Sequence, residues 1–137
     1  MVRWTSQPVL EILSPTPFDC NGFSSLNIEN GIETIGNSAF QGCDGFEGEF
    51  KIPDSVTSIG QSAFQGCKKF SGTFTVPTNV KNFGNSVFAN CNGFTSLNIP
   101  DGIPYIVAYE FYDCVGFTSE LKIPDSVAYI GHYAFYN

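Results

Sequence analysis

The side chains of this 137-residue chain that could do chemistry are five cysteines, one histidine, thirteen carboxylates and six tyrosines. Cys20, Cys43, Cys67, Cys91 and Cys114 are spaced 23, 24, 24 and 23 residues apart. Metal sites draw on ligands clustered at short spacings such as Cys-x-x-Cys, and none occurs here. A fixed long spacing instead stacks one thiol per coil, about 4.8 Å from the next. That separation lies within disulfide range, but side chains pointing in parallel fit a disulfide poorly, and an odd number cannot all pair. The expectation is a column of buried free thiols acting as small hydrophobes. His132 has no acid or nucleophile at a supporting offset, so a solvated histidine is expected rather than part of a triad. Glu49 with Lys51, and Glu120 with Lys122, sit two apart on an outer strand face, where an ion pair contributes under ~1 kcal/mol. No catalytic residue, metal or cofactor is expected.

The tyrosines are more informative, because all six lie between residues 105 and 136 and fall into three columns. Tyr105 and Tyr129 stand where earlier coils have Thr34, Ser58 and Asn82. Tyr109 and Tyr133 replace Ser38, Ser62 and Ser86, and Tyr112 and Tyr136 replace Gln41, Gln65 and Ala89. Core packing does not ask for such a change at variable positions. Tyrosine offers rigid contact area with a polar tip, which suits an interface. A partner-binding wall on the last two coils is therefore expected; drift, or tyrosines that pack only on one another, is the plainer reading. A second candidate surface is a polar strand face. Its columns are Asn27, Lys51, Thr75, Asn98 and Lys122, beside Ser25, Glu49, Thr73, Ser96 and Glu120.

The elements that carry these columns are repeats. Ser38 to Cys43 reappears letter for letter as Ser62 to Cys67, and Lys51 to Val56 reappears as Lys122 to Val127. A period in this range means a solenoid of stacked coils. From Phe23 onward, one apolar column runs Phe23, Phe46, Phe70, Phe94, Phe117. The pair that follows, Leu26/Ile28, Phe50/Ile52, Phe74/Val76, Leu97/Ile99 and Leu121/Ile123, reads as a short strand with two inward residues. Proline at 53, 77, 100 and 124 ends it. A second extended segment carries Ile35, Ile59, Phe83, Ile106 and Ile130. Gly36, Gly60, Gly84 and Gly131 then predict a turn of positive φ, and Ala39-Phe40 and its equivalents predict a single helical turn. The extra residue of the longer repeats, as in Glu47-Gly48-Glu49, is expected in a loop. Five coils would give a rod of about 25 Å.

Two regions depart from the pattern. Residues 1–22 read as an N-terminal capping coil in which Leu10 and Ile12 imitate Leu26 and Ile28, with Trp4 over the open end; residues 23–137 are the repeats, the last incomplete. In the fourth coil, Val107 replaces glycine, Glu110 replaces a small residue, and Pro104 removes a donor. A lone buried Glu is costly, so this turn is expected to bulge and expose Glu110.

The recurring pattern apolar-x-Ile-Pro-x-Ser-Val-x-x-Ile-Gly-x-x-Ala-Phe-x-x-Cys resembles the BspA-like (Treponema-type) leucine-rich repeat over about residues 23–137. The resemblance implies a right-handed solenoid of about five coils, with short stacked parallel strands and short helical turns. It also implies a non-catalytic protein-interaction or adhesion module, extracellular or on a cell surface, whose partner is a host or surface protein. A glycan-binding surface is an alternative, as is a structural segment of a longer array that self-associates through an uncapped C-terminal coil.

Composition narrows the partners. The net charge is −7, and of six cations only Lys68 and Lys69 are adjacent, a poor footprint for nucleic acid or an anionic membrane. No apolar run reaches the length of a membrane span, and the first residues do not read as a signal peptide.

Overall fold

The computed structural model describes residues 2–4, 20 and 22–137. The chain winds through three walls per coil. The first carries β1 (Val2–Trp4), β2 (Leu26–Ile28), β4 (Gly48–Glu49), β6 (Phe70–Thr75) and β8 (Phe94–Asn98). The second carries β3 (Thr34–Ile35), β5 (Ser58–Ile59), β7 (Asn82–Phe83), β9 (Tyr105–Ile106) and β10 (Tyr129–Ile130). All pairings are parallel, in the orders β1-β2, β4-β6-β8, β3-β5-β7 and β9-β10. Strands of two to six residues suffice because each is held by its neighbours along the rod rather than by its own length.

Among the described residues there is no helix, and the third wall is made of turns. Its hydrogen bonds alternate. The N–H groups of Ser38, Phe40 and Gly42 donate forward to Gln61 O, Ala63 O and Gln65 O at 2.7–2.8 Å. Those of Ala39, Gln41 and Cys43 close local turns on the carbonyls of Gly36, Ser38 and Phe40. The expected helical turn does not form because Ser38, Ser62 and Ser86 sit at φ 55°, 57° and 60°, a left-handed conformation that a right-handed helix cannot contain.

The positive φ thus falls two residues beyond the glycine column, and Gly36, Gly60, Gly84 and Gly131 are not left-handed. Glycine is needed there for space. A Cβ on Gly60 would lie 2.4 Å from Asn37 N, on Gly84 2.3 Å from Gln61 N, and on Gly131 2.4 Å from Ala108 N. The backbones of successive coils meet at this column, and no side chain fits between them.

Phenylalanine fills the core. Phe40, Phe64, Phe88, Phe111 and Phe135 form one stack with centroids 5.3, 5.6, 5.9 and 5.6 Å apart and planes within 11° of parallel. Phe46, Phe70 and Phe94 form a second at 6.2 and 5.8 Å, with Phe50 and Phe74 wedged alongside. Each fully buried ring contributes ~1.5–3 kcal/mol of apolar transfer.

Other expectations are revised. Val2–Trp4 pairs with Leu26–Ile28, Trp4 opposite Ile28; Leu10 and Ile12, on which the capping-coil expectation rests, lie outside the described residues. Two of the three inserted segments reach into strands, since β4 is Gly48–Glu49 and β6 runs through Ser71, Gly72 and Thr73, whereas Thr118, Ser119 and Glu120 lie in no strand, as expected of a loop. The length difference between repeats is absorbed by a register shift between Gly72 and Thr73, where β6 meets β8. The described residues form about four turns rather than five, since residues 117–127 add no strand to the first wall.

The thiol column is also modified. Cys20 and Cys43 form a disulfide with Cα atoms 5.1 Å apart, while Cys67, Cys91 and Cys114 are free and buried. In the regular coils each thiol donates to a phenylalanine carbonyl one coil back: Cys67 Sγ to Phe40 O, Cys91 Sγ to Phe64 O and Cys114 Sγ to Phe88 O, at 3.0–3.2 Å. Cys20 precedes the regular repeat and closes a turn through Phe23 N.

Candidate functional site

The tyrosines come together as their columns predict. Tyr105 pairs with Tyr129 across β9 and β10. On the third wall, Tyr109 lies 5.4 Å from Tyr133 and Tyr112 stacks on Tyr136 at 5.6 Å, while Tyr109–Tyr112 and Tyr133–Tyr136 contacts of 5.7 and 5.4 Å close a four-ring patch. The rings pack on one another yet remain open to solvent: Tyr109, Tyr133 and Tyr136 are 39%, 54% and 55% exposed. His132 borders the patch with its ring 6.3 Å from that of Tyr133. Tyr109 and Tyr133 occupy the left-handed position of the turn, at φ 58° and 54°. An aromatic residue there bears backbone strain of ~1–2 kcal/mol that glycine would avoid.

The polar strand columns are only partly assembled. Thr73 and Ser96 hydroxyls lie 2.9 Å apart, and Asn98 Nδ2 donates to Thr75 Oγ1 at 3.4 Å. Asn27 sits on β2 beside β1. Lys51 lies past the end of β4, and Lys122 is in no strand. Glu49, Lys51, Thr73 and Thr75 nevertheless line one shallow groove with Phe50. Neither expected carboxylate–lysine pair forms among the described residues; Lys69 and Glu47 pair at 3.2 Å instead, both well exposed.

A third feature lies where the second-wall ladder stops between β7 and β9. Elsewhere, glycine N–H donates to the isoleucine carbonyl one coil back: Gly60 to Ile35 O, Gly84 to Ile59 O and Gly131 to Ile106 O, each at 2.8 Å. Val107 occupies that glycine position, and its N–H donates to Glu110 Oε2 at 3.0 Å. Three residues earlier, Pro104 has no N–H to offer Lys81 O, and the Tyr105 hydroxyl donates to it instead at 3.2 Å. Side chains thus repair two broken rungs of the backbone ladder.

Glu110 is not exposed. It is 3% accessible, and burial pushes its carboxyl from 4.5 up to about 8, with the Val107 hydrogen bond acting in the opposite direction. The expected outward bulge does not occur, because the Val107 N–H, released from the ladder, offers the carboxyl a partner within its own turn. The opened rungs leave a cleft of about 340 Å³ whose lining includes Val76, Val80, Lys81, Phe83, Ile103, Tyr105 and Glu110. The three odd residues of the fourth coil were the sequence signal for this cleft.

Burial raises the Cys67 and Cys114 thiols to about 12 and Cys91 well above its ordinary value, so thiolate chemistry is suppressed. No group of three or more potential metal-ligating side chains is present among the described residues. No described helix is long and apolar enough to cross a membrane.

Similarity to known proteins bears on the fold. A leucine rich repeat protein of Treponema pallidum superposes with a TM-score of 0.70 at 25% identity, over 82% of this chain and 51% of its own. A leucine rich cell surface protein of Faecalibacterium prausnitzii A2-165 superposes with a TM-score of 0.58 at 22% identity, over 85% of this chain and 38% of its own. The chain therefore spans about half the length of the first and less of the second. No curated protein matches its sequence. The profile of the BspA type leucine rich repeat region matches residues 11–137 in six copies. The chain belongs to the BspA type leucine rich repeat family.

Proposed function

We propose that this chain is a non-catalytic interaction or adhesion module that binds a protein partner through the tyrosine wall of its last two coils. The observation that carries the proposal is the patch in which the Tyr109, Tyr112, Tyr133 and Tyr136 rings of adjacent coils pack together while Tyr109, Tyr133 and Tyr136 stay exposed. A rigid, amphipathic aromatic patch is the composition of a binding hot spot. The groove of Glu49, Lys51, Thr73 and Thr75 supplies a second, polar contact face. The Faecalibacterium relative is a cell surface protein, and display outside the cell is part of the proposal.

The test is a panel of immobilised surface proteins and glycans probed with the wild-type chain and with a Tyr109→Ser/Tyr133→Ser variant. The variant is expected to fold and to lose binding to proteins. Unchanged protein binding by a folded variant would reject the tyrosine wall, and binding confined to glycans would replace the protein partner with a carbohydrate. Light scattering over a concentration series separates a foreign partner from a second copy of the chain.

A further inference from the structure

The cleft at the broken ladder is not needed for the proposed contact surface, and its chemistry is different. Its walls are Val76, Val80, Phe83 and Ile103, and Glu110 is the carboxyl in its lining. Glu110 Oε2 accepts from Val107 N–H, and among the described residues no hydrogen bond is made to Oε1. A carboxylate desolvated among apolar side chains is most strongly stabilised by a cation that arrives with its own apolar covering. The other titratable groups lining the cleft are Lys81 and Tyr105. The Tyr105 hydroxyl is committed to Lys81 O, and the Lys81 side chain is exposed and makes no ion pair.

We propose that the cleft between the third and fourth coils binds a primary alkylammonium group, with its nitrogen on the Glu110 carboxylate and its stem against Val76, Val80, Phe83 and Ile103. The group is either a free aliphatic amine or the side chain of a partner's lysine; the chemistry is shared. In the empty cleft Glu110 holds its proton up to a pH of about 8. Binding of the ammonium below that pH therefore releases one proton from the carboxyl to solvent, and the ion pair replaces the neutral acid. Affinity should rise about tenfold per pH unit up to that point and level off above it.

The experiment follows backbone amide shifts of the intact chain by NMR during titration with n-butylamine, with 1-butanol as the neutral control. Butylamine is expected to give saturable shifts centred on Ile103, Tyr105, Val107 and Glu110, with a Kd of about 1 mM above pH 8. Butanol should bind at least ten times more weakly. Glu110→Gln keeps an acceptor for Val107 N–H and should abolish the pH dependence and weaken binding at least tenfold. Should that variant fail to fold, Thr78→Trp is the alternative: Thr78 is an exposed residue of the cleft lining, and the larger ring should block entry without touching the carboxyl. A titration with the peptide acetyl-Gly-Lys-Gly-amide separates the sources, since tighter binding than butylamine assigns the site to a partner's lysine and weaker binding to a free amine. Shifts that do not saturate, equal binding of butanol, or undiminished binding by folded Glu110→Gln or Thr78→Trp would overturn the proposal.

Discussion

Glu110 Oε2 accepts a hydrogen bond from Val107 N–H at 3.0 Å, within a turn where the neighbouring coils use that same N–H to hold the solenoid together. The carboxyl is nevertheless disfavoured as an anion by its burial. The native state binds more protons than the unfolded chain between the ordinary value of 4.5 and about 8. Stability should therefore be greatest below the lower value, fall as pH rises through the window by on the order of 1 kcal/mol per unit, and level off above it. Urea midpoints measured from pH 5 to 9 should show this slope, and Glu110→Gln should flatten it. An equal slope in the variant would assign the effect to other groups.

Gly84→Ala places a Cβ 2.3 Å from Gln61 N, so coils two and three must separate. A loss of roughly 3 kcal/mol or more is expected, comparable to a badly overpacked core. Ser86→Gly, two residues along at φ 60°, should instead be neutral or stabilising by up to ~1 kcal/mol, the left-handed strain relieved being offset by added chain entropy. Denaturant unfolding of the two variants distinguishes close approach from positive φ as the reason for the glycine column. The opposite ranking would restore the turn explanation.

Phe88 lies at the middle of the longer aromatic stack, fully buried between Phe64 and Phe111. Phe88→Ala should cost ~3–5 kcal/mol. Because each coil rests only on its neighbours, the loss should also split unfolding into two steps. A single calorimetric transition with an undiminished midpoint would contradict this.

Reduction of Cys20–Cys43 opens a 23-residue separation and should remove about 3 kcal/mol of stability. Cys67, Cys91 and Cys114 are buried, with their thiols held protonated. They should resist iodoacetamide at pH 8 in the native chain and react on unfolding. Mass spectrometry of the alkylated protein reads both effects; rapid native labelling of any of the three would show that its coil opens.

Much of the architecture was legible because a repeat writes each contact several times. The Phe40 and Ile35 columns keep their spacing from coil to coil, so their stacking follows from the period alone, and the tyrosine columns follow by the same arithmetic. The glycine column was legible as a constraint but not in its cause. A residue that lacks Cβ satisfies both positive φ and close approach, and only the distance from Gly60 to Asn37 distinguishes them. Glu110 was misplaced because its burial cost was weighed without the donor that Val107 supplies. That donor exists only because the ladder is broken, which is a property of two coils and not of the local sequence. The Cys20–Cys43 bond was not legible because the cysteine period sets every neighbouring pair one coil apart and does not distinguish the pair that joins.

The interrupted second wall also has a mechanical consequence. Across the same boundary, the first wall is tied by β6 and β8, and the third by Ser86 N–H to Ala108 O, Phe88 N–H to Glu110 O and Asn90 N–H to Tyr112 O. Two sides of the rod are sewn while one is not, so bending there requires no backbone hydrogen bond to break. Flexing at this boundary should therefore open the second wall, with the Phe88–Phe111 contact as its pivot, and change the angle between the coils before Phe94 and the tyrosine-bearing coils.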